Sequence, residues 1–153
     1  RTIFSWTAIL FILFLWYFIG LFGKILDKNG RYYHFCLKNW SKMSLRFLGL
    51  KIEITGQELV PKDIPVVFVS NHQSQLDIPI LSAHLPVPFK WVAKIELFKL
   101  PLLGSFMKNA GYIPVYREEA QKATTTVRKI LEQLNKGFPV IFFLKAPEQK
   151  MVK

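Results

Sequence analysis

The stretch IFSWTAILFILFLWYFIGLF, from Ile3 to Phe22, contains no charged side chain. About 20 helical residues rise roughly 30 Å, the thickness of a bilayer core, so a run of this length must find lipid or protein to cover it. A secretory signal has a shorter apolar region, about 7–15 residues, closed by a small-residue cleavage site. No such site stands before Lys24, and the expectation is a retained membrane helix. The chain opens on Arg1 rather than Met, as a sequence lacking its first residues would.

Basic residues follow the apolar run closely: Lys24, Lys28, Arg31, Lys38, Lys42, Arg46 and Lys51. By the positive-inside rule they place the bulk of the chain on the cytoplasmic face of a membrane. The whole chain holds 21 Lys and Arg against 10 Asp and Glu, a net +11 that suits an anionic partner. Nucleic acid and anionic lipid are the two candidates. With an apolar anchor and no nucleic-acid-binding signature, lipid headgroups are favoured and no nucleic-acid partner is expected. The single Cys36 excludes an intrachain disulfide and a cysteine-rich metal site. It lies on an apolar stripe and reads as packing; no metal site is expected.

Residues 1–50 form the first region, an anchor followed by an amphipathic helix. Between Arg31 and Leu50, Tyr33, Cys36, Trp40, Met43 and Phe47 recur at helical intervals, while Lys38, Lys42 and Arg46 make a four-spaced basic line. A basic face beside an aromatic one suits a helix lying in the membrane interface, and equally a core helix with a solvated back. Gly49 marks its end. From Lys51 strands and helices alternate. KIEIT, PVVFVS, FKWVAK, YIPVY and PVIFF read as strands. DIPILSAHL, ELFKLPLLGSFMKNA (interrupted at Pro101) and EEAQKATTTVRKILEQLNKG (ended by Gly137) read as helices. That alternation argues for α/β layers.

The chemistry-bearing residues cluster in NHQSQLD, Asn71 to Asp77, directly after the strand PVVFVS. His72 lies at the end of a strand, where open α/β sheets hold their ligands. Imidazole suits proton transfer near neutral pH, and a carboxylate bonded to its far nitrogen fixes the tautomer and stabilises the imidazolium. A turn and one helical turn can return Asp77 to His72. No serine or cysteine nucleophile is evident, so a substrate hydroxyl is the expected attacking group. On these two residues alone, a plain helix N-cap for Asp77 and a turn role for His72 weigh more heavily. His34 and His84 have no ordered partner in the sequence and read as surface or interfacial residues.

Three ordered motifs carry a resemblance. NHQSQLD resembles the Asn-His-x4-Asp motif of the glycerolipid acyltransferases, above all the 1-acyl-sn-glycerol-3-phosphate (lysophosphatidate) acyltransferases. KIELFKLPLLG, Lys94 to Gly104, is similar to their Lys-x-Glu-Leu…Pro…Gly segment, and GYIPVYR, Gly111 to Arg117, to their Gly-x-Ile-x-x-x-Arg block. The resemblance covers roughly Lys51 to Phe143. It implies a glycerol-3-phosphate-acyltransferase-like α/β fold, a layered sheet with helices behind an amino-terminal membrane helix and an amphipathic helix. It implies acyl transfer from acyl-CoA or acyl-carrier protein, as co-substrate and with no cofactor, to the free hydroxyl of lysophosphatidate, giving phosphatidate. His72 would be the general base and Asp77 its orienter. Arg117, with Lys94, would hold the substrate phosphate. Asn71, Glu96 and Gly111 fall in the same motifs and join the substrate-site candidates; Glu96 either opens a helix or helps position the site.

The pattern then breaks. After GFPVIFF the family has Phe-Pro-Glu-Gly-Thr-Arg, whose arginine is a further phosphate ligand, whereas this chain reads FLKAPEQKMVK. Removing one base from the proline codon of a family-like coding stretch reproduces Phe143 to Lys153. The expectation is therefore a partial acyltransferase domain over 51–143, incomplete at its carboxyl end, and an out-of-frame tail over 144–153. The loss of that arginine and of the last strands and helices puts the activity of such a product in doubt, and leaves PVIFF at risk of being an uncovered apolar edge strand. The rival functions are transfer to another lysophospholipid or glycerol-3-phosphate, and a non-catalytic membrane-binding fragment.

Overall fold

The structure, a computed structural model, describes residues 2–27, 29–116 and 120–145, with side chains for most of them. Five helices and four strands follow in order: α1 (Thr2–Leu26), α2 (Arg31–Phe47), β1 (Val67–His72), α3 (Asp77–His84), β2 (Lys90–Lys94), α4 (Leu103–Asn109), β3 (Ile113–Val115), α5 (Ala120–Asn135) and β4 (Val140–Lys145). All strand pairs are parallel, in the order β1-β4-β2-β3. Parallel strands need covered faces, and the alternating pattern of the sequence supplies helices for both.

The core is aromatic: Tyr33, Phe89, Trp91, Phe98, Met107, Tyr112 and Ile141 are buried together. α2 closes one side through small residues. Ser41 and Ser44 are buried opposite Ser82 and Ala83 of α3, so the two backbones can approach closely. α2 is thus a core helix, yet Phe35, Met43 and Phe47 remain exposed, so the expected apolar stripe is divided between interior and surface. Gly49 (φ 67) closes its end as expected.

α1 and α2 form a hairpin. Its turn is built by Asp27, whose carboxylate accepts the amides of Asn29 at 2.8 Å and Tyr32 at 2.5 Å, and by Gly30 at φ 73. Trp16 Nε1 donates to Met43 Sδ at 3.2 Å, and the Tyr32 hydroxyl to the Ile19 carbonyl at 3.2 Å. Lys90 locks this turn to the sheet. It is 1% exposed, donates to the Asn29 and Ala110 carbonyls at 2.7 Å each, and lies 4.2 Å over the Phe138 ring. Burial pushes its ammonium down to about 8.

Three sequence expectations need correction. KIEIT is not a strand: residues 51–56 are irregular, because β1 is the sheet edge and no described strand lies beyond it to pair with this segment. PVIFF is not an edge; β4 lies between β1 and β2 and runs on to Lys145, so Leu144 pairs in register with Asn71 and Lys145 with His72. His34 is buried, 5% exposed, with its ring edge-on to Phe89 at 4.8 Å. The expected anchor is helical over Thr2–Leu26, but among the described residues no helix is long and apolar enough to cross a membrane, several α1 side chains lying outside the description. Cys36 is buried, as its stripe position indicates, and burial raises its thiol to about 11. The tail residues 146–153 lie outside the described residues.

Candidate active site

β1 ends on His72, and the chain turns through Gln73–Leu76 into α3, whose first residue is Asp77. The turn brings the two side chains together: His72 Nδ1 lies 2.8 Å from Asp77 Oδ2. The same oxygen accepts the amides of Gln73 at 2.8 Å and Ser74 at 2.9 Å. Asp77 therefore organises the whole turn rather than capping its own helix. Burial works against its ionisation, but the Ser74 amide, the imidazole and the Gln73 amide outweigh it and hold the carboxyl below its ordinary value of 3.8. An ionised Oδ2 can only accept, so Nδ1 carries a proton, and in the neutral ring Nε2 is the nitrogen left with its lone pair.

The imidazole is half-buried, 34% exposed, and one of its faces is covered. Phe143 of β4 stacks on it with ring centroids 4.2 Å apart and planes 13° apart; Trp91 stacks behind Phe143 at 5.0 Å. Register explains the contact. Ser70 is aligned with Phe143, and side chains two apart along a strand share a face, so His72 and Phe143 project from the same side of the sheet.

The other candidates are not all gathered here. Asn71 is exposed, and strand alternation sends its side chain to the opposite face from His72. Lys94 ends β2 at the same pole of the sheet, with β4 between it and β1, roughly 10 Å away across two strand spacings. The register aligns it with Leu144 and Asn71, so alternation puts its side chain, like that of Asn71, on the face opposite His72. It is exposed, as is Glu96 in the first turn of the short helix Ile95–Lys99. Gly111 lies at the opposite end of the sheet, in the turn from α4 into β3, where its φ of 72 calls for glycine. Arg117 lies outside the described residues. His84 ends α3, and its carbonyl accepts the Gln57 amide at 2.7 Å. Among the described residues no three His, Cys, Asp or Glu side chains gather to hold a metal. Two clefts of about 370 and 380 Å³ lie elsewhere, one beside β3 and α5, the other before the starts of β1, β2 and β4.

Sequence reasoning passed over Phe143 and Lys90. Phe143 was legible only as part of an apolar strand, because its partner is set by register. Lys90, a lone cation between Phe89 and Trp91, was the visible sign of a buried charge.

The family model described as Acyltransferase matches residues 51–148. This chain belongs to the acyltransferase family. Chloroplastic 1-acyl-sn-glycerol-3-phosphate acyltransferases resemble it closely. The Arabidopsis thaliana protein is 36% identical over 121 residues, 78% of this chain and 33% of its own length. The Brassica napus protein is 33% identical over 134 residues, 87% of this chain and 38% of its own. The acyltransferase chain thus spans about a third of the length of these relatives. The solved structure of the 1-acyl-sn-glycerophosphate acyltransferase PlsC from Thermotoga maritima superposes with a TM-score of 0.71, covering 97% of this chain and 64% of that one at 23% identity. That likeness establishes the acyltransferase fold.

Proposed function

We propose that the protein transfers an acyl chain from a thioester, acyl-CoA or acyl-carrier protein, to the free hydroxyl of lysophosphatidate, forming phosphatidate for phospholipid synthesis. The observation that carries this reading is the 2.8 Å bond between His72 Nδ1 and Asp77 Oδ2 at the carboxyl end of a parallel strand. Nε2 takes the proton of the acceptor hydroxyl as its oxygen attacks the thioester carbonyl. Asp77 stabilises the imidazolium so formed. Collapse of the tetrahedral adduct breaks the carbon–sulfur bond, and the departing thiolate takes the proton back from His72. Arg117 is proposed as the bidentate ligand of the acceptor phosphate, and the flexible Lys94, at the same pole of the sheet but leaving from its other face, as a point charge that reaches it around the strand end. Glu96 would help position this end of the site. The relatives named above, all called 1-acyl-sn-glycerol-3-phosphate acyltransferases, support lysophosphatidate as the acceptor.

The α1–α2 hairpin is proposed to hold the domain on the cytoplasmic face of a membrane. Phe11, Phe14, Phe18 and Phe22 are exposed and recur at three- and four-residue intervals, one apolar stripe on the side of α1 away from α2. A stripe of that kind lets a helix lie along a bilayer surface without spanning it.

Turnover of radiolabelled lysophosphatidate tests the chemistry, comparing the chain as given, a version continued in frame through Phe-Pro-Glu-Gly-Thr-Arg, and His72→Ala in each. Acyl transfer that survives His72→Ala unchanged would sink the assignment. Equal rates with acceptors lacking the phosphate would remove Lys94 and Arg117 from the proposal.

A further inference from the structure

We propose that Phe143 is a positioning residue for the base, and Trp91 the support that keeps it in place. This inference rests on the reading of His72 as the proton acceptor. The bond to Asp77 fixes one atom of the imidazole, but a ring held at one atom still tilts about that bond. The lone pair on Nε2 lies in the ring plane, so tilting re-aims it away from the acceptor oxygen. A second constraint, on the plane itself, is needed, and the structure supplies one. Phe143 lies nearly parallel to the imidazole, 4.2 Å away with 13° between the planes. It is sandwiched by Trp91, 5.0 Å behind at 28°, and Trp91 is only 5% exposed. Trp91 in turn meets Phe89 edge-on at 5.1 Å, and Phe89 is fully buried, so the stack is anchored in the core. Close packing gives such a column few alternative arrangements.

Two consequences follow for the reaction. Phe143 closes one face of the imidazole to water and substrate, so the acceptor hydroxyl must arrive at the ring edge, where Nε2 points. The quadrupole of the phenyl face also favours a cation lying over it, so the stack assists the imidazolium that proton transfer creates. A purely structural role would need only apolar volume at position 143. A positioning role needs a flat ring.

The experiment compares Phe143→Leu, Phe143→Tyr and Trp91→Phe, by 15N NMR of His72 in the chain as given, assigned through loss of its signals in His72→Gln, and by steady-state kinetics in that chain and in its in-frame version. In the unsubstituted protein His72 is expected as a single tautomer, protonated at Nδ1, with ring protons shifted upfield by the Phe143 ring current. Phe143→Leu should lower kcat roughly 10- to 100-fold with KM unchanged, the scale of a misplaced catalytic group, and should give His72 nitrogen shifts averaged between tautomers. Phe143→Tyr should recover most of the loss, and Trp91→Phe should fall between. A folded Phe143→Leu protein with full kcat and unaltered His72 resonances would overturn the proposal. So would the absence of the upfield shift in the unsubstituted protein, which needs no variant to fold. Should Phe143→Leu fail to fold, the same resonances in Trp91→Phe decide the matter. Full turnover by His72→Ala would instead refute the base assignment, and the ring-current shift would still report on the stack.

Discussion

Asp77 Oδ2 serves three donors at once, the imidazole and two turn amides, and that concentration makes it the most sensitive single residue of the site. Asp77→Asn keeps the shape but removes the charge, and its amide group can force the wrong imidazole tautomer. Turnover is expected to fall by about ten-thousandfold, the scale known for such a change in a His–Asp pair. The same substitution reads out in stability. Because folding holds this carboxyl below its ordinary value of 3.8, the unfolded chain binds its proton first. The stabilisation is complete at neutral pH and is lost as pH falls through the folded value. Thermal melts of Asp77→Asn should therefore lie below those of the parent at pH 7, with the gap closing below about pH 4. The pair was legible in the sequence because both members fall within seven residues and local turn geometry joins them. Asn71 shows the limit of such reading. It neighbours His72 in sequence, yet strand alternation turns it to the other face.

Elements were legible where their pattern is local. The helix ended by Gly137, the strand PVVFVS and the interruption at Pro101 all stand where the sequence places them, within a residue or two. KIEIT failed because alternation describes a surface, and a strand also needs a neighbour to bond with. The burial of His34 was hidden for a related reason: it is made interior by contacts between elements far apart in sequence, as is Lys90, whose only local sign was its place between Phe89 and Trp91. Their energetic signatures differ. Desolvation, helped by Lys38 and Lys90, drives His34 down to about 4 from 6.5, so its neutral form is the folded one. The unfolded chain gains a proton first as pH drops, and folding stability declines from pH 6.5 toward 4 by at most about 3 kcal/mol. His34→Leu should flatten that acid limb in urea titrations at several pH values. Lys90→Met would instead leave the buried Ala110 carbonyl, and the Asn29 carbonyl at the hairpin turn, without their donor, at a cost of about 2 kcal/mol at any pH near neutral. Urea unfolding at pH 7 measures it.

At the scale of the molecule, the +11 charge and the phenylalanine stripe of α1 make different predictions about the membrane. Charge attraction to anionic lipid is screened by salt within a few ångströms at 1 M, whereas apolar contact is not. Co-flotation with phosphatidylglycerol vesicles should survive 1 M salt, a concentration at which charge alone is screened. It should be lost in Phe14→Asp with Phe18→Asp, where two rings that the bilayer would bury, each worth about 2 kcal/mol, are removed and partitioning falls by roughly a hundredfold or more. Persistence of binding in that double variant at high salt would place the contact elsewhere.

The position of β1 at the rim of the sheet carries a final consequence. One row of its amides and carbonyls bonds to β4, and among the described residues no strand pairs with the other, beside the exposed Val67 and Val69. Such a margin accepts any extended segment laid along it. Whatever zips onto it, from the same polypeptide or another, grips the ribbon from which His72 projects over Phe143. The proton-transfer geometry proposed for His72 is thus exposed to strand addition a few residues away, a mechanical handle that an interior strand would not offer.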